Sequence, residues 1–263
     1  MKFNFEFHLF CSSPQMAQEA LLGSIDRLIV DWECKGKKER QKNFNTQING
    51  QLIEDLRAIS STSKLPVICR INPVGSYTQA EVNEAIANGA DEILVPMVQN
   101  KQEVERVLDY SRDRKKVGIL IETRSAAHFA KQFSNLPLSR IYVGLNDLSI
   151  ENNERNIFLP LANGMLETIR EQITHPFGFG GLTLPHLGFP IPCQLLIDEM
   201  VRLGSSFSFL RRSFLQDTKE KNFRPAIETI RRAIEQSIQK KEKERQLSRQ
   251  RLLEKIEKAW LYF

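Results

Sequence analysis

Short apolar runs rich in β-branched and aromatic residues recur along the chain, at residues 3–11, 27–33, 66–72, 92–98, 116–123, 140–147, 177–183 and 206–212. Each reads as a strand. Between them the apolar positions fall at helical spacing, over 14–22, 47–59, 78–88, 101–112, 124–133, 159–172 and 192–203. Asn88-Gly89 and Leu203-Gly204 supply fitting helix stops. Eight strands alternating with helices, with no long polar linker between them, predict right-handed crossovers closing into a (β/α)8 TIM barrel. An open doubly wound sheet would carry a glycine fingerprint after its first strand, and Cys11-Ser-Ser-Pro has none.

Composition narrows this picture. The 263 residues suit one barrel of about 250. At 41% hydrophobic and 26% charged, the chain is too apolar for a disordered protein and too mixed for a membrane protein. The N-terminal stretch carries Lys2 and Glu6 among its apolar residues, so it reads as a strand rather than a signal peptide. Cys11, Cys34, Cys69 and Cys193 show no metal-ligand spacing, which points to reduced thiols in a cytoplasmic protein.

The net charge of +5 is unevenly placed: residues 219–263 carry +6 and the rest of the chain −1. Lys and Glu are interleaved in that segment, the pattern of a solvated helix with i,i+4 pairs, so neither nucleic acid nor membrane is expected as a partner. The chain therefore divides into a barrel over 1–218 and a helical extension over 219–263. In the extension, Ile227, Ile230, Ala233, Ile234 and Ile238 seal the barrel. A second stripe, Leu252, Leu253, Ile256 and Trp260, needs burial of its own, on the barrel or by exchange between subunits.

Chemistry in such a barrel sits at the C-terminal strand ends. The polar residues there are Asp31 and Glu33, Arg70 and Asn72, Glu122 and Arg124, Asn146 and Asp147, and Arg211 and Arg212. Four carboxylates converging with arginines are costly to bury unless something neutralises them. A divalent cation on oxygen ligands would do so, leaving open positions toward an anionic substrate.

The stretches LPVICRINPVGSYTQAEVNEAIANGADEILVPMVQNKQEVERV, GILIETRSAAHFA and RIYVGLNDLS resemble the hydroxy-oxoheptanedioate aldolase and citrate lyase β-subunit family of pyruvate-domain barrels, in order, over residues 28–147. The resemblance implies a class II aldolase: a metal-dependent C–C lyase acting on a small 2-oxo acid, with an aldehyde partner, through a pyruvate enolate. It implies Mg2+, or Mn2+ or Co2+, on Glu122 and Asp147. Arg70 then holds the substrate carboxylate and oxo oxygens, Asn146 and Asp147 line the substrate, and Glu33 is an acid near the metal-bound waters. Such barrels commonly exchange C-terminal helices, which implies a homo-oligomer. On these grounds Arg70→Ala is expected to abolish turnover and leave the fold intact.

Three departures mark a divergent member. Cys34 stands where the aldolase branch has a histidine of its base machinery. The run CKGKKERQ is compact where the citrate lyase branch is longer, and LDYSRDRKKVGIL is short where the aldolase branch has an insert. The proton-transfer group stays open among Cys34, Lys35, His8, His186 and a metal-bound water. Two other readings follow: a lyase for acyl-CoA esters, and a barrel that keeps the metal and anion site without turnover. His128 and His175 read as packing and loop residues. Gly178, Gly180 and Gly181 beside Arg211-Arg212 fit a phosphate site or tight strand packing equally well.

Overall fold

Side chains alternate between the two faces of a strand, and in this chain that alternation fixes what lies inside the barrel. The computed structural model describes residues 4–35, 52–218 and 222–259. Its strands are β1 (Glu6–Phe10), β2 (Arg27–Asp31), β3 (Val67–Arg70), β4 (Glu92–Val95), β5 (Lys116–Ile121), β6 (Ile141–Val143), β7 (Phe177–Phe179), β8 (Gly181–Leu182) and β9 (Phe207–Leu210). All lie in one sheet and every pairing is parallel. Segments β7 and β8 are halves of one barrel strand, interrupted at Gly180, whose φ of 63° favours glycine. The first half pairs with β6 and the second with β9, so the barrel closes through the break. A Cβ on Gly178 would lie 2.4 Å from the Phe207 carbonyl oxygen, so only glycine lets the chain pass there. The architecture is an eight-stranded parallel (β/α)8 barrel, as the strand rhythm predicts.

Around it lie α1 (Pro14–Leu22), α2 (Ile53–Thr62), α3 (Thr78–Ala87), α4 (Lys101–Ser111), α5 (Arg124–His128), α6 (Leu145–Glu151), α7 (Leu159–Ala162), α8 (Met165–Gln172), α9 (Cys193–Arg202), α10 (Arg212–Asp217), α11 (Arg224–Gln239) and α12 (Glu242–Lys258). Outward residues such as Phe7, Leu9, Leu28, Val30 and Val95 pack against these helices. Inward residues Ile29, Ile68, Leu94, Leu120, Tyr142, Phe207 and Phe209 fill the barrel.

Beneath that apolar layer lies a floor of charge. Arg140 grips Glu92 through Nε at 2.7 Å and Nη2 at 3.0 Å, and its Nη1 donates to Glu6 at 3.0 Å. Arg27 Nε donates to Glu6 at 2.8 Å. His8 is fully buried here, with Nε2 3.1 Å from Glu6 and its ring stacked on Phe207 at 4.9 Å.

Several boundaries differ from the sequence expectation. The 159–172 helix divides at Gly164, which has φ 81°. The 140–147 run ends as strand at Val143, and Asn146 and Asp147 enter the first turn of α6. The extension breaks into α11 and α12, because Lys240 and Lys241 are extended and Glu244 accepts the Lys241 backbone N–H at 2.8 Å. Leu252 and Ile256 are buried within the same chain, where the Asn156 side-chain amide donates to the Ile256 carbonyl at 2.9 Å. Leu252 and Ile256 of the second stripe thus find cover on their own barrel, while Leu253 is only half-buried. Trp260 and residues 47–51 lie outside the described residues.

Candidate active site

The inward register that fills the barrel continues to its mouth. Above Ile29 comes Asp31, above Ile68 Arg70, above Leu120 Glu122, and above Tyr142 Gly144. Arg70 is held from two sides. Its Nε and Nη2 reach the two oxygens of Asp31 at 2.8 and 2.7 Å, and its Nη1 lies 3.2 Å from Glu33. The guanidinium also sits over the Phe10 ring, 5.1 Å from its centroid. The acids outweigh desolvation and hold its pKa above the usual arginine value. The result is a permanent cation with a fixed fork.

Glu122 follows β5 directly and is buried. Its Oε2 accepts the Met97 backbone N–H at 3.2 Å. Burial first, then the charges of Asp147 and Glu33, push its carboxyl up to about 8. Space for it exists only because residue 144 is glycine: a Cβ there would fall 2.4 Å from Glu122 Oε1. Two interacting carboxylates, one so strongly raised, suit a hard divalent cation that keeps most of its water. Among the described residues no group of three or more His, Cys, Asp or Glu is placed to hold a metal ion.

Asp31, Arg70, Glu122, Asn146 and Asp147 all line one cavity of about 630 Å3. That size lies within the roughly 300–1,000 Å3 typical of small-molecule sites. Glu33 joins them through Arg70. Asn72 does not: it accepts the Cys34 and Lys35 backbone N–H groups, both at 2.9 Å, and donates to Glu81 at 2.6 Å, so it shapes the loop after β2. The four candidate side-chain bases do not line the cavity. Cys34 and His186 are exposed, Lys35 lies over the Tyr77 ring at 3.2 Å, and His8 is in the floor. Sequence reasoning missed Tyr142, which lines the cavity and stacks on Phe209 at 3.8 Å. Its signal was its inward parity two residues beyond Arg140.

A closed parallel barrel with an arginine and acidic residues gathered at the C-terminal strand ends places the candidate site where (β/α)8 enzymes carry theirs. The profile of the HpcH/HpaI aldolase/citrate lyase family matches residues 5–152, and the chain belongs to that family. Among solved structures, an HpcH/HpaI aldolase from Desulfitobacterium hafniense DCB-2 superposes with a TM-score of 0.61 at 14% identity, over 82% of this chain and 89% of that one. The citrate synthase SbnG gives 0.62 at 17% identity, over 82% and 90%. RipC from Yersinia pestis gives 0.58 at 12%, over 93% and 99%. At such identities these likenesses speak to the fold. A comparison with curated protein sequences finds no match. Among the described residues no helix is long and apolar enough to cross a membrane.

Proposed function

We propose that the chain is a metal-dependent aldolase that cleaves, or forms, a 4-hydroxy-2-oxo acid. The single observation that carries this reading is that one cavity holds the clamped Arg70 together with Glu122 and Asp147. Arg70 binds the substrate carboxylate with its fixed fork, and Asp31 and Glu33 keep that fork from rotating. Asn146 and Asp147 line the substrate beside it. A divalent cation (Mg2+, Mn2+ or Co2+) on Glu122 and Asp147 would supply Lewis-acid stabilisation of developing negative charge on the oxo oxygen.

In the cleavage direction the 4-hydroxyl gives up its proton and the C3–C4 bond breaks. An aldehyde leaves, and the electron pair passes into the enolate of pyruvate. Protonation at C3 then gives pyruvate. The proton acceptor is assigned to none of Cys34, Lys35, His8 and His186, since none of them lines the cavity. Among the described residues no lysine lines it, which supports a route through the metal-stabilised enolate. A homo-oligomer belongs to the proposal through the family resemblance alone.

The test is pyruvate release from a panel of 4-hydroxy-2-oxo acids with Mg2+, Mn2+ or Co2+, run beside CoA esters. Pyruvate released from an oxo acid and suppressed by chelator is the expected result. Turnover of CoA esters alone, or of nothing in the panel, would overturn the reading.

A further inference from the structure

Arg211 occupies the next inward position above Phe207 and Phe209 on the eighth barrel strand, and it lines the same cavity as Arg70 together with Arg212 and Gln216. Its surroundings differ from those of the other barrel arginines. Arg70 is held by Asp31 and Glu33, and Arg140 by Glu92 and Glu6. Among the described residues, Arg211 and Arg212 have no carboxylate in ion-pair reach. The Arg211 Nε is moreover buried with no acceptor, an unmet donor of the kind that native structures rarely leave without a purpose.

The backbone is cleared to place this side chain. A Cβ on Gly181 would lie 2.9 Å from the Arg211 Cβ, and one on Gly188, at φ 112°, would lie 2.8 Å from its Nη2. Two glycines in the segment after β7 thus make room for the Arg211 side chain, Gly181 at its base and Gly188 at its guanidinium. The cavity of about 630 Å3 exceeds what a three-carbon oxo acid on Arg70 fills, so the substrate has room to extend.

We infer that Arg211 and Arg212 form a second anion subsite, which takes a phosphate group on the part of the substrate that leaves as the aldehyde. Two guanidinium groups without acids match a dianion better than the single charge of a carboxylate. This rests on the aldolase reading and names its acceptor class: phosphorylated aldehydes.

Two experiments separate the inference from that reading. In the first, pyruvate is condensed with a phosphate-ended aldehyde, a carboxylate-ended aldehyde of similar length and a neutral one. The phosphate-ended acceptor is expected to show the highest kcat/KM. In Arg211→Gln/Arg212→Gln, its kcat/KM should fall by 100-fold or more through KM, while the neutral aldehyde changes by less than about threefold. Equal losses on all three acceptors, or a tenfold preference for the carboxylate, would overturn the assignment. The second experiment is calorimetric titration with inorganic phosphate, which needs no turnover. The wild-type chain should bind it and the double variant should bind at least tenfold more weakly; equal binding by both overturns the subsite. Failure of all acceptors with phosphate binding intact would count against the aldolase reading and not against the subsite.

Discussion

Arg70 has a structural part beside the substrate contact proposed for it. The expectation that Arg70→Ala would leave the fold intact treats the arginine as a lone cation, whereas it neutralises Asp31 and Glu33, both buried. Removing one partner of a buried pair typically destabilises by about 3–5 kcal/mol. Arg70→Ala should therefore lower stability as well as activity. Arg70→Lys keeps the charge but loses the fork, and should forfeit on the order of 2–4 kcal/mol of transition-state binding, about 30- to 1,000-fold in rate. Urea unfolding and steady-state kinetics on both variants check this; an alanine variant with wild-type stability would contradict it. His8 makes a second residue-scale prediction. Burial holds its imidazole down to about 4, against 6.5 when unperturbed. Between those values the unfolded chain takes up a proton that the folded chain does not, so stability falls as pH drops from 6.5 toward 4, by up to about 3 kcal/mol. Glu6, whose carboxyl is held low by His8, Arg27 and Arg140, steepens the loss below about pH 4.5. Urea midpoints between pH 7 and 4.5 should slope in the wild type and flatten in His8→Asn. Parallel slopes would rule out His8 as the source.

At the scale of elements, the informative segments are those where the hydrophobic pattern ran on past a real boundary. The run 140–147 looks like strand to its end because Val143 and Leu145 continue the alternation. The chain turns into α6 at Gly144 instead, where only a glycine leaves room for Glu122. No local pattern announces a contact made by a residue at the end of the preceding strand. The break between α11 and α12 was half legible, since the polar stretch separates two apolar stripes. What the second stripe packs on was not, because that depends on Asn156, Glu167 and Glu199, far away in sequence. Leu252→Ala and Ile256→Ala should each destabilise by about 2–5 kcal/mol, as for other large-to-small changes in a core. Chemical denaturation of dilute samples tests this: loss of stability independent of protein concentration is expected, whereas a concentration-dependent loss would place the stripe in a subunit interface.

For the whole molecule, the eight-beat rhythm made the barrel legible, and the C-terminal strand ends brought out Arg70 and Glu122, which line one cavity. The floor network stayed hidden. Glu6, Arg27, Glu92 and Arg140 each stand at or beside a strand start, where an isolated charge reads as a boundary; only closure of the barrel brings them together. Closure likewise turns Arg211 from the end of a strand into a wall of the cavity. Glu122 and Asp147 at the mouth are the proposed metal ligands, and calorimetric titration of Mn2+ with and without oxalate tests them. Wild-type protein should bind Mn2+ weakly alone, since only two side chains hold it, and at least tenfold more tightly with oxalate present. The Glu122→Gln/Asp147→Asn variant should stay folded and lose both. Mn2+ binding that survives the double substitution, or that oxalate leaves unchanged, would contradict the account.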